Sequence, residues 1–209
     1  QLRTAHGVNV EVLPADLSLA ADIARLAQRL NDDPAISLLV NNAGMAVIGP
    51  LVGAEPSRLD SMIQLNVTAL TQLAVAAASA FAARGHGVLI NIAAALALAP
   101  EQYHGAYSAT KAYVLALTQA LEQELSPRGV RVQVVLPGAT RTDLWARAGI
   151  DVRYLPPGMV MEVDDLVNAA LAGLALGELV TIPSLPDIQE WEALNAMRLE
   201  LSPLLSLRQ

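Results

Sequence analysis

A tyrosine and a lysine four residues apart are the side chains of this sequence best suited to move a proton. They lie in Gly105-Ala106-Tyr107-Ser108-Ala109-Thr110-Lys111-Ala112. The pair opens an apolar run with helical spacing: Tyr107, Val114, Leu115, Leu117, Leu121 and Leu125. Side chains at i and i+4 lie one above the other on one helix face, so the Lys111 ammonium is expected near the Tyr107 phenol. A free phenol has a pKa of about 10 and exchanges protons poorly near neutrality. A fixed cation favours the phenolate and draws that pKa toward working pH, which makes tyrosine a general acid/base. The pair alone decides little, because the same spacing decorates ordinary helix surfaces. The elements around it carry the case.

Short β-branched or apolar runs are expected as strands at 8–13, 36–40, 88–92, 130–136 and 179–182. Helical patterns separate them. The first covers about 19–30, with Asp16 or Ser18 as its cap. A long one covers 56–83, the Tyr107 helix stops at the breaker Pro127-Arg128-Gly129, and another covers 162–176. Residues 139–160 read as irregular. Strands alternating with long helices imply right-handed crossovers and a parallel sheet. Ligands of such sheets bind at the carboxyl ends of the strands. Those ends here hold Asp16, Asn42 with Gly44, Ala94, and Pro137-Gly138, while Tyr107 and Lys111 open the next helix. Asn66, polar inside the apolar 56–83 pattern, fits a satisfied core amide or a site residue equally well.

Composition bounds the rest. The chain has 209 residues, 54% apolar, enough for one domain (1–209) with a sheet buried on both faces. Net charge is −7 without a basic patch, which argues against nucleic acid and anionic membranes. The chain has no cysteine and three scattered histidines, so no metal site is expected. The uncharged 61–83 stretch carries Gln64, Asn66, Thr68, Thr71, Gln72 and Ser79 and reads as a buried helix, not a membrane span. The opening residues lack a signal-peptide pattern, and a cytoplasmic setting is expected.

The chain resembles the short-chain dehydrogenase/reductase family. The resemblance is carried by Asn41-Asn42-Ala43-Gly44, by Asn66, by Tyr107-x-x-x-Lys111, by Pro137-Gly138 with Thr142, and by Asp16-Leu17. It implies an NAD(P)-dependent oxidoreductase that interconverts an alcohol and a carbonyl on a Rossmann-like doubly wound parallel α/β sheet. By that resemblance Tyr107 exchanges a proton with the substrate oxygen, Lys111 lowers the tyrosine pKa and binds the nicotinamide ribose, and Asn66 holds a water. Asp16 and Leu17 would flank adenine, and Asn42, Ala43 and Gly44 the adenosine ribose. Pro137, Gly138, Thr140 and Thr142 would hold the nicotinamide end. NAD and NADP are equally compatible.

Two departures stand out. The family's serine thirteen residues before the tyrosine is Ala94 here. A methyl cannot polarise a carbonyl, and losing one such donor costs about 10²–10³ in rate. Tyr103, His104 or a water would have to compensate. The family's first two strands and glycine-rich turn also have no counterpart in this sequence. Within the family's sheet order they would lie between the 8–13 and 36–40 strands. At about 4.8 Å per strand, their absence leaves a gap of roughly 10 Å, so the sequence reads as a fragment.

The apolar circumference of the helices at 56–83 and 106–125 points to a homodimer or homotetramer. Loop 143–161, with Leu144, Trp145, Ile150, Tyr154, Leu155 and Met159, is expected to cover a small alcohol or carbonyl substrate. The 183–209 tail would close one side through Trp191. A non-catalytic dinucleotide-sensing or assembly relative of the same fold is the alternative.

Overall fold

The computed structural model describes residues 2–101, 105–156 and 158–205. Among these residues four parallel strands form one sheet in the order β1-β2-β3-β4: Leu38–Asn41, Gly87–Ile92, Val130–Val135 and Val180–Thr181. Consecutive strands pair in register, with Asn41 opposite Asn91 and Ile92 opposite Val135. The helices are α1 (Leu2–His6) and α2 (Ala20–Asp32) before β1, α3 (Pro56–Ile63) and α4 (Leu70–Arg84) before β2, α5 (Ala106–Leu125) before β3, α6 (Leu144–Arg147) and α7 (Val163–Leu176) before β4, and α8 (Ile188–Glu200) after it. This is the expected Rossmann-like α/β architecture.

Burial along the strands shows how the sheet is covered. Successive strand residues face opposite sides. Val132, Gln133, Val134 and Val135 are all buried, so β3 is covered on both faces. In β1, by contrast, Leu38 and Val40 are each 45% exposed while Asn41 is buried, so one face of this edge strand is open. The core falls into two clusters. One joins Ile23 and Leu30 of α2, Phe81 and the alanines of α4, and Leu121 and Leu125 of α5 to Leu89 and Val132. The other joins Val114 and Leu115 of α5 to Val134, Leu136, Val180 and Ile182, with Trp191 against it.

Four expectations need correction. Residues 8–13 form no strand; they run exposed and outside any ladder, and Arg3 bonds the Val10 carbonyl from α1. Their alternation of valines has no partner strand to pair with. Neither Asp16 nor Ser18 caps α2, whose N-cap is Leu19 without a side-chain bond. Asp16 instead accepts from Ser18 N and Oγ, and its own N–H donates to Asp22. The 56–83 helix is not uniform, because Gln64–Ala69 is a π-helical turn between α3 and α4. Residues 139–160, expected to be irregular, contain α6 and a 3₁₀ turn at Val152–Tyr154.

The Pro56–Arg84 rod is long and apolar enough to cross a membrane, yet 56% of its most apolar stretch is buried inside the fold. It ends on Gly85, which takes the left-handed conformation (φ 75°) while His86 N–H reaches back to Phe81.

Candidate active site

Asn66 organises the site from the π-helical turn. Its Oδ1 accepts from Met45 N–H at 2.9 Å, and its Nδ2 donates to Met45 O at 2.8 Å and to Thr110 Oγ1 at 3.1 Å. The amide is therefore a two-handed clamp on the loop after β1, and a third bond ties it to α5. Single π turns often mark functional sites, where the extra residue re-aims a side chain. Nothing in the residue pattern signals this turn. The side chain expected to hold a water is thus engaged mainly with protein.

Thr110 passes the connection on: its hydroxyl donates to the Tyr107 carbonyl at 2.8 Å. One residue further, the Lys111 ammonium donates to Ile92 O at the end of β2, at 2.9 Å. It also lies 5.7 Å from the centre of the Tyr107 ring. The i,i+4 geometry expected from the sequence is present. A Cβ on Gly44 would sit 3.3 Å from Asn66 Oδ1 and 3.6 Å from Lys111 Nζ. Gly44, Asn66, Tyr107 and Lys111 are therefore brought together at the carboxyl ends of β1 and β2.

The electrostatics differ from expectation. Burial pushes the Tyr107 phenol up to about 12, and burial also pulls the Lys111 ammonium down to about 8. Burial alone accounts for the phenol's rise, so the tyrosine is held protonated. Lys111 is the single lysine of the chain, and the other twelve basic residues are arginines.

Ala94 is extended and 7% exposed, and opens a 3₁₀ turn at Ala95–Leu98 that packs against α5. Ala95 N–H donates to Pro137 O at 2.8 Å, which joins this turn to the end of β3. Tyr103 and His104 lie outside the described residues.

The remaining expected positions scatter by role. Asn42 and Ala43 are exposed beside Gly44. Asp16 is bonded within its own turn, and the Ser18 hydroxyl holds its carboxyl below the usual range. Leu17 packs on the α2–α4 core. Gly138 faces Ser184, with room for a Cβ only at 3.5 Å from Ser184 Oγ. Thr140 is buried, donates to Gly138 O, and its carbonyl takes the Trp145 indole N–H at 2.8 Å. Thr142 is exposed and accepts from Leu144 N–H.

The 143–161 loop is closed at its base. Met161 N–H donates to Ala139 O and Arg141 N–H to Met161 O, a short parallel bridge beneath α6. Its Tyr154 is 87% exposed. Trp191 of the tail packs against the core cluster that contains Ala93.

A cavity of about 330 Å³ lies elsewhere, under the loop after β1, lined by Val47, Ile48, Leu51, Arg58, Leu59 and Ala106. It exists because this loop lies on the start of α5. Gly105 has φ 99° and its absent Cβ would meet Gly49 O at 2.5 Å. No residue pattern in the sequence marks this hollow, because it is formed by segments that meet through space.

A parallel sheet with a Tyr–Lys pair and an asparagine converging beside the glycine after β1 defines a Rossmann-like oxidoreductase scaffold. The short chain dehydrogenase family model matches residues 1–153, and the chain belongs to that family. It is 33% identical over 159 residues to a 3alpha-hydroxysteroid dehydrogenase of Mediterraneibacter gnavus, covering 71% of this chain and 64% of the relative. It is 30% identical to a sorbitol dehydrogenase of Cereibacter sphaeroides, covering 73% of this chain and 62% of that protein. The chain thus spans 64% and 62% of the length of these two relatives.

Among solved structures it is similar to a short-chain dehydrogenase from Sphingobium yanoikuyae in complex with NADPH. The TM-score is 0.93 at 50% identity, over 100% of this chain and 80% of that one. A bulky-bulky ketone specific alcohol dehydrogenase from Comamonas testosteroni gives a TM-score of 0.87 at 42% identity, over 100% and 78% of the two chains.

Proposed function

We propose that this chain is the catalytic part of an NAD(P)-dependent oxidoreductase that reduces a ketone to a secondary alcohol, with Tyr107 as the proton donor. The observation that carries the reading is the convergence of Tyr107, Lys111, Asn66 and Gly44, with the ammonium 5.7 Å from the phenol ring. The residues fit a nicotinamide dinucleotide: Gly44 leaves open the space beside the Lys111 ammonium that any side chain would fill. Hydride transfer is the chemistry that such a dinucleotide supplies when bound. The relative solved with NADPH supports this cofactor class.

The proton-donor role follows from the phenol. A tyrosine pushed up to about 12 is protonated throughout the physiological range, so it is ready to donate and poorly prepared to abstract. Reduction of a carbonyl builds negative charge on oxygen, and an alkoxide is a far stronger base than a phenolate. Proton transfer from Tyr107 Oη to that oxygen is therefore downhill. Lys111, held by Ile92 O, stabilises the phenolate left behind. Ala94 offers no hydrogen bond to the same oxygen, which weakens the catalyst by about 10²–10³. The Comamonas testosteroni relative supports a ketone with bulky substituents as substrate. The cavity beside Ala106 provides room for one of them.

We also infer a cytoplasmic homo-oligomer built through α4 and α5. Val75 on α4 and Tyr113 on α5 are 51% and 39% exposed. The deciding experiment is a panel of aryl and alkyl ketones with NADPH and NADH, followed by nucleotide absorbance, using wild type and Tyr107→Phe. Turnover abolished by the substitution supports the reading. Nucleotide binding without turnover by wild type favours a dinucleotide-sensing relative instead.

A further inference from the structure

One stripe of α5 carries Tyr107, Lys111, Val114, Thr118, Leu121 and Leu125, the i, i+4, i+7 pattern of a single helix face. Lys111 is 5% exposed, and Val114 and Thr118 are fully buried. Apolar members of this stripe attach α5 to the sheet by packing, which is not directional. Two polar members are bonded to neighbouring residues of β2. Lys111 Nζ donates to Ile92 O at 2.9 Å, and Thr118 Oγ1 accepts from Asn91 Nδ2 at 2.9 Å. The threonine hydroxyl proton goes to Val114 O at 2.7 Å, so both of its roles are filled. Asn91 is itself fixed, since its Oδ1 accepts from Asn41 Nδ2 of β1 at 2.9 Å. A line of buried bonds thus runs from β1 through β2 into α5.

We propose that Thr118 is a positioning residue for Lys111, pinning α5 along β2 so that the ammonium meets the Ile92 carbonyl beneath Tyr107. Helix-on-sheet packing of small apolar side chains tolerates a slide of a few tenths of an ångström. A hydroxyl–amide bond between fully buried partners does not, because a lost bond strands the Asn91 N–H away from water. The side-chain bonds of Asn41, Asn91 and Thr118 end one residue from the carbonyl that holds Lys111. The inference rests on the reading of Lys111 and Tyr107 as the reaction centre. Tyr107 is the titratable neighbour on the same helix. The π turn, the β1 loop and β2 present uncharged groups there: Asn66, Gly44 and the Ile92 carbonyl.

The test uses Thr118→Val and Thr118→Ser in the whole protein. Lys111 is the one lysine of these 209 residues, and ¹³C-lysine labelling gives its side-chain ε-carbon signal, identified by its loss in Lys111→Met, whose pH titration reports Lys111 directly. Thr118→Val moves that midpoint by about half a unit or more, and lowers kcat for ketone reduction about 10-fold with little change in KM. Thr118→Ser restores both. A Val variant with lowered Tm but a wild-type titration and wild-type kcat overturns the proposal, since that is what a purely structural threonine does. If the Val variant does not fold, Thr118→Ala, which leaves room for a water on Asn91, is judged by the same two readouts. The titration needs no turnover. A wild type that reduces no ketone, with a shifted Lys111 midpoint in the variant, leaves the pin standing and removes the oxidoreductase reading.

Discussion

The Lys111 ammonium lies 5.7 Å from the centre of the Tyr107 ring and is held from behind by the Ile92 carbonyl. The lysine therefore has a fixed address and is not free to swing to the surface. Under the proposed function, its charge state decides how well the phenolate left after proton transfer is stabilised.

That charge state gives a pH profile. With its pKa pulled down to about 8 by burial, Lys111 is charged below pH 8 and neutral above it. Ketone reduction is expected to fall as pH rises through about 8, since the neutral amine no longer stabilises the phenolate. Lys111→Met lowers kcat about 10²-fold or more and removes this limb from the profile. A limb that persists at the same pH in Lys111→Met assigns it to another group.

The same two groups shape stability with opposite signs. The Lys111 value is lower in the folded state than the ordinary 10.5, so its contribution is present above pH 10.5 and lost as pH falls through 8. The Tyr107 value is raised from 10.0 to about 12, so its contribution is present below pH 10 and lost as pH rises through 12. Urea midpoints should therefore rise between pH 8 and about 10, with the lysine term worth about 3 kcal/mol. Lys111→Met flattens the rise. An equally steep rise in that variant assigns it elsewhere.

Ala94→Ser restores a hydroxyl to the loop after β2. The expected gain in kcat for ketone reduction is about 10²–10³. Ala94 is 7% exposed at the head of a turn tied to Pro137, so the substitution places the hydroxyl at the carboxyl end of β2. Unchanged turnover in steady-state assays means that the missing donor does not limit this protein.

Gly105→Ala tests the junction of the β1 loop with α5. The residue has φ 99° and a Cβ would strike Gly49 O at 2.5 Å. A destabilisation of about 1–3 kcal/mol is expected from the backbone conformation alone. Displacement of the loop should raise KM for bulky ketones more than for acetone. Equal KM changes for both would separate this loop from substrate binding.

The strands at 36–40, 88–92 and 130–136 were legible because buried parallel strands are short apolar runs between helices, and the sheet is built from them. The Tyr107–Lys111 spacing was legible for the same kind of reason, since i and i+4 must share a helix face. Residues 8–13 misled because alternation predicts a strand only where a neighbouring strand exists to complete the ladder. The Asn66 clamp was half visible: a polar residue in an apolar helix demands partners, but the π turn that aims it at Met45 leaves no mark in the residue pattern. The direction of the tyrosine shift was missed because i,i+4 spacing reveals a cation and says nothing of how much water surrounds the phenol.

An arginine-only exterior has a practical consequence. Reagents that attack ε-amines, such as activated esters, aldehydes and many cross-linkers, find no such target on the outside of this fold, because its one ε-amine belongs to the buried Lys111. Apart from the α-amino group, amine labelling becomes a gauge of how often the reaction centre opens. Immobilisation chemistry that relies on surface lysines would have only the buried Lys111 to use within these 209 residues.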